Sequence, residues 1–196
     1  MPRRKLHTIN ADTLQTIAYE PIPFVVEDLL PQGLHLLAGA PKIGKSWLAL
    51  WLCLQVAQGK PLWNFSTRPC EVLYLCLEDS FQRIRSTGNE ANPYANDYRD
   101  IGVLKALADR YRIGVLLVHH LRKMNDDDPM NMISGTTGLS GATDSNFVLR
   151  KSKRRENTAT LYCTGRDISY RELSLEFSSD THVWNLLSDD GEQTGQ

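Results

Sequence analysis

Gly39-Ala40-Pro41-Lys42-Ile43-Gly44-Lys45-Ser46 is a complete G-x-x-x-x-G-K-[ST] phosphate-binding loop, and its flanks decide the fold. Before it, Gly33-Leu34-His35-Leu36-Leu37-Ala38 is a short apolar run that predicts a buried strand. After it, Ser46 to Ala57 is almost wholly apolar and too long for a typical strand, which predicts a buried helix. Strand, glycine loop and helix follow in the order that phosphate chemistry needs. Successive backbone N–H groups and the helix N-terminus can face phosphates, Lys45 can reach the β- and γ-phosphates, and the Ser46 hydroxyl can ligate Mg²⁺. The residues Gly39, Ala40, Pro41, Lys42, Ile43, Gly44, Lys45, Ser46 and Trp47 therefore point to a nucleoside triphosphate.

Composition fits one domain built around that loop. At 196 residues, 41% hydrophobic and 23% charged, the chain resembles an ordinary soluble globular protein with a single core. Its net charge of −1 means that any nucleic-acid contact must come from a local basic patch. The four cysteines, Cys53, Cys70, Cys76 and Cys163, show no metal-ligand spacing, and buried free thiols are expected at Cys53 and Cys76. Met1-Pro2-Arg3-Arg4-Lys5 is basic, but no apolar stretch of signal-peptide type follows, and no run is long enough to cross a membrane. A cytoplasmic protein is expected.

Along the chain, 1–187 reads as a single domain with 1–19 a loosely packed arm, and 188–196 as an acidic, disordered tail. Pro21 to Val26 is an extended piece bounded by proline. Gly59 and Pro61 stop the long helix. Glu71 to Leu77 predicts a second buried strand ending at Glu78-Asp79-Ser80. Asp100 to Arg112 predicts a helix, with Ile101, Leu104, Leu107 and Ala108 on one face. Ile113 to Val118 predicts a third buried strand, ending at His119-His120. Later, Asn146 to Arg150, Ala159 to Cys163 and Leu173 to Phe177 predict strands joined by tight turns. The pattern is α/β: a mostly parallel sheet flanked by helices, with a β-meander at its C-terminal edge.

With these stretches placed, the chain resembles the RecA-like P-loop ATPases, and within them the RepA-like hexameric helicases of plasmids, phages and mobile elements. Leu36 to Trp47, Tyr74 to Ser80, Leu116 to Lys123, and Ser134 to Gly141 followed by Asp144 carry that resemblance, in order. It implies ATP and Mg²⁺ as ligands, a hexameric ring, and single-stranded DNA as partner. By the same resemblance Glu78 polarises the attacking water, and His120 senses the γ-phosphate, with His119 as the alternative. Arg166 looks like the arginine finger that reaches a neighbour's γ-phosphate, Arg154 and Arg155 being other candidates. Arg122 and Lys123 open a loop that would grip DNA, although Asp126-Asp127-Asp128 would repel it and a plain surface loop is the other reading. Lys153, Arg154 and Arg155 belong to the most basic run and are further DNA candidates, or a solvated hairpin tip.

One expected element is missing. Such ATPases hold Mg²⁺ with an aspartate at the end of another apolar strand, yet Ser80 to Arg112 contains no apolar run of four. An internal deletion between about Ile84 and Asn92 would account for this. The expectation is thus a helicase-type subunit with impaired hydrolysis. The alternatives are a non-hydrolysing relic and an ATP-dependent DNA-loading or recombination regulator that does not unwind.

Overall fold

The computed structural model describes residues 8–18, 21–74, 93–121, 137–151 and 156–191. Its centre is β3 (Gly33–Gly39), in which every residue is buried, as the apolar run before the glycine loop predicts. The left-handed Gly44 (φ 102°) then starts α2 (Lys45–Gln58). That helix stops where the Gly-x-Pro signal places the stop. Gly59 is left-handed at φ 63°, and Lys60 N–H donates to the Gln55 carbonyl at 2.9 Å.

Two short strands, β1 (Phe24–Val26) and β2 (Leu30–Pro31), pair antiparallel before β3. After α2 come α3 (Pro93–Tyr111), β4 (Gly114–His120) and α4 (Thr137–Ala142). Then follow β5 (Ser145–Arg150), β6 (Thr158–Gly165), β7 (Arg171–Ser178) and β8 (Val183–Asp189). The main sheet has the order β4-β3-β5-β6-β7-β8. It is partly parallel: β4 and β5 flank β3 in the same sense, and β5 to β8 form an antiparallel meander. The mostly parallel expectation holds only on the β3 side, because the short links at 166–170 and 179–182 cannot make a crossover.

Apolar residues from α2 (Leu48, Ala49, Val56), the sheet (Leu37, Phe147, Leu149, Leu161, Leu173, Leu175) and the segment holding Leu62 and Phe65 close one core. Leu36, Ala38 and Val148 form a smaller cluster, and strand alternation sets it on the opposite face.

Four expectations change here. Glu71 to Tyr74 is not a buried strand: it is exposed, Leu73 by 81%, and stands outside the sheet, because β4 and β5 already take both edges of β3. The remainder of that predicted strand lies outside the described residues. Ser188 and Asp189 belong to β8 and not to a tail, since Arg171 donates to Asp189 Oδ2 at 3.0 Å across the β7–β8 ladder. The helix α2 is not fully buried; Trp47 (44%) and Leu54 (48%) face outward. Finally, β8 itself had no expectation attached to it, because Val183-Trp184-Asn185-Leu186-Leu187 is a short and mixed run. In the expected arm, α1 (Ala11–Thr16) forms with Asn10 as its cap and buries none of its residues.

Candidate nucleotide-binding site

The strand directions sort the turns. Because β5 runs parallel to β3, the loop after β3, the end of β4, the β5–β6 turn and the β7–β8 turn all gather at one end of the sheet. The start of β5 and the β6–β7 turn lie at the other.

At the first end, the loop has no room for added side chains. A Cβ on Gly39 would lie 2.7 Å from the Leu149 carbonyl oxygen and 3.2 Å from Lys45 Cδ. A Cβ on Gly44 would meet the Trp184 ring at 3.0 Å, on a backbone already left-handed. Lys42 is also left-handed, at φ 62°. Left-handed residues within a glycine loop turn N–H groups toward a common point, which is how such loops make an anion cradle. Ala40, Pro41, Lys42 and Ser46 are exposed on its rim, while Ile43 is buried beneath it.

Lys45 is only 4% exposed. Its Nζ donates to the Gly39 and Ala40 carbonyls, each at 2.8 Å, and lies 3.2 Å from His120 Nδ1. Burial draws its pKa down to about 8. The register pairs Gly39 with His120 and Ala38 with His119, so the last strand residue is the one brought to the lysine. Of the two histidines, His120 makes the contact with Lys45.

Trp184, fully buried, is a site residue that sequence reading missed. Its Nε1 donates to the Gly44 carbonyl at 3.1 Å, and its own carbonyl accepts from Trp63 Nε1 at 2.7 Å. Lys151 Nζ lies 5.5 Å above its ring. An aromatic 140 positions from the glycine leaves no local signal.

A family model described as an AAA domain matches residues 2–99, half of the chain. The chain belongs to this AAA domain family. Among solved structures, the ATPase domain of a helicase of the DnaB and RecA-like type aligns with a TM-score of 0.56 at 11% identity, covering 80% of this chain and 85% of that one. The likeness shows a RecA-like fold. No curated protein matches the chain.

In this AAA domain, Arg166 stands at the opposite end of the sheet from its own phosphate loop. Gly165 pairs with Ser145, and the Arg166 guanidinium, 64% exposed, lies 3.7 Å from Asp144 Oδ1 and donates to the Gly141 carbonyl at 3.5 Å. Asp144 Oδ2 accepts from the Leu34 N–H at 2.9 Å and from Lys105 Nζ at 2.7 Å. Burial raises the Asp144 pKa, but the bonds from Lys105 and Leu34 outweigh it and hold the carboxyl below its usual range. Beside it, the fully buried His35 donates from Nε2 to the Pro31 carbonyl at 2.8 Å; its Nδ1, like Ser145 Oγ, has no partner among the described residues.

Glu78, Arg122, Lys123, Lys153, Arg154 and Arg155 lie outside the described residues. Among the described residues no cluster of three or more His, Cys, Asp or Glu could hold a metal, and no helix is long and apolar enough to cross a membrane. Cys53 and Cys163 are free thiols; Cys53 is half-buried, and Cys163 is fully buried with its pKa pushed far up by burial.

Proposed function

We propose that this AAA domain binds ATP with Mg²⁺ at Gly39 to Trp47 and works as a subunit of a replicative helicase of a mobile element, with impaired hydrolysis. The observation that carries the reading is Lys45, buried and charged, held between two loop carbonyls and His120. Those carbonyls are weak partners for an ammonium compared with phosphate oxygens, so the side chain is positioned to exchange them for a triphosphate. The glycine cradle fits phosphates because an added Cβ would collide at Gly39 and at Gly44.

Bound Mg²⁺ would neutralise charge developing on the phosphates. Of the described residues Ser46 is the one to hold it, and Glu78 or Asp79 would add the acidic side. His120 reads the terminal phosphate through its place beside Lys45, and couples it to the segment that begins at Leu121. Arg166 serves a neighbouring subunit in a cytoplasmic ring on single-stranded DNA, a role that its distance from its own loop favours. Impaired turnover follows from the absence of an apolar run of four between Ser80 and Arg112.

Titration with a fluorescent ATP analogue tests the site. Lys45→Ala is expected to weaken binding on the order of a hundredfold, the worth of a charged hydrogen-bonding partner. Unchanged affinity in a folded Lys45→Ala protein would overturn the assignment. A DNA-loading regulator that does not unwind is separated from a helicase by a strand-displacement assay.

A further inference from the structure

Trp47 follows Ser46 directly, in the first turn of α2, where a large apolar ring would ordinarily turn into the core. It remains 44% exposed. Its ring lies against that of His182, with centroids 4.5 Å apart and planes tilted by 39°. His182 is itself exposed and held there at some cost: its φ is 57°, left-handed for a residue with a Cβ. Two hydrogen bonds fix that turn, His182 N–H to the Ser178 carbonyl at 2.9 Å and Thr181 N–H to Ser178 Oγ at 3.3 Å.

Behind the pair stands a chain of rings. Phe177 meets His182 edge-on at 6.2 Å and Trp184 at 5.1 Å, and Trp184 is tied to the Gly44 carbonyl of the phosphate loop. The β7–β8 turn is thus anchored to the loop, and its tip carries an imidazole to the indole on α2 that faces solvent beside Lys45 and Ser46. Core packing needs none of this exposed area. A flat ligand that arrives with its phosphates in the loop does need it.

We propose that Trp47 and His182 form a stacking platform for the base of the nucleoside triphosphate whose phosphates the loop takes. The proposal rests on the phosphate-loop reading given above. Stacking uses the π-face that every base has, so the platform is tolerant of base identity and accepts ATP and GTP alike.

Isothermal titration with ATP, GTP and inorganic tripolyphosphate tests it, since tripolyphosphate carries the phosphates without the base. In the wild-type protein both nucleotides should bind on the order of ten- to a hundredfold tighter than tripolyphosphate, the fold-change that one stacked base is worth. In Trp47→Ala, and separately in His182→Ala, that ratio should fall toward one. Trp47→Phe keeps a π-face and should keep most of it. A ratio that survives in both alanine variants overturns the platform, as does wild-type protein that binds ATP no better than tripolyphosphate; either result leaves the phosphate loop standing. Wild-type protein that binds neither ligand overturns the phosphate loop and the platform together.

Discussion

His35 shows how one buried side chain sets a pH dependence. The Pro31 carbonyl can only accept, so Nε2 carries the proton and Nδ1 is bare in the neutral ring. Burial lowers the pKa to about 4 from 6.5, although the Pro31 bond and Asp144 oppose it. Between those values the unfolded chain binds the proton and the folded one does not, so stability falls as pH drops from 6.5 toward 4. From pH 7 to pH 5 the loss from this group is about 2 kcal/mol. Urea unfolding at both pH values, in wild type and His35→Gln, measures it: the variant should lose less by about that amount. Equal losses would show that the imidazole is not buried neutral. Lys45 is drawn down by burial as well, to about 8, yet its neighbours are loop carbonyls and a histidine at the phosphate end. The same physical cause acts at both ends of β3, and the partners decide which end can take a ligand.

The loop and α2 depend on a strand formed far along the chain. Trp184 in β8 fills the space under Gly44 and holds its carbonyl, so Trp184→Ala removes both a buried ring and a fixed point of the loop. Large aromatic-to-alanine changes in cores cost about 3–5 kcal/mol. We expect a loss of that size in chemical unfolding, with ATP affinity also reduced under conditions where the variant remains folded. Trp184→Phe should recover most of the stability but not the Gly44 bond. A variant as stable as wild type would mean that β8 does not support the loop. The apolar sequence of α2 has a related reading. It predicts burial on all sides, yet Trp47 and Leu54 are exposed, because α2 packs against the sheet on one side only.

In the assembled protein, two tests separate motor from relic. Arg166 lies at the end of the sheet away from Gly39, so a role at a γ-phosphate requires a second subunit. Mixing Arg166→Ala with Lys45→Ala protein should restore part of the ATPase activity at shared interfaces; an active oligomer without such rescue would rule the arginine out. Turnover itself should be slow. Phosphoryl transfer needs acidic groups placed within about 1 Å, and misplacement on that scale costs on the order of a hundredfold. In a steady-state assay with single-stranded DNA we expect well under ~1 turnover per second, below the usual enzyme range. A rate at or above that value would show an intact catalytic site.

Residues 33 to 61 carry their own instructions. An apolar strand, a glycine loop that tolerates no Cβ, a lysine and a helix with Gly-x-Pro at its end are all local signals, and β3, the loop and α2 stand where those signals put them. The helix before β4 and three strands of the meander were legible for the same reason, since periodicity and turn residues act within a few positions. Long-range pairing had no such signal. That β4 and β5 take both edges of β3, leaving Glu71 to Tyr74 outside the sheet, depends on which strand wins a register. So does the contact of His120 with Lys45, which are 75 positions apart, and the seating of Trp184 beneath a glycine 140 positions earlier. Local chemistry names the groups that can hold phosphate; the sheet order brings the distant groups to them, because backbone ladders and core packing bind segments with no regard to their separation in the chain.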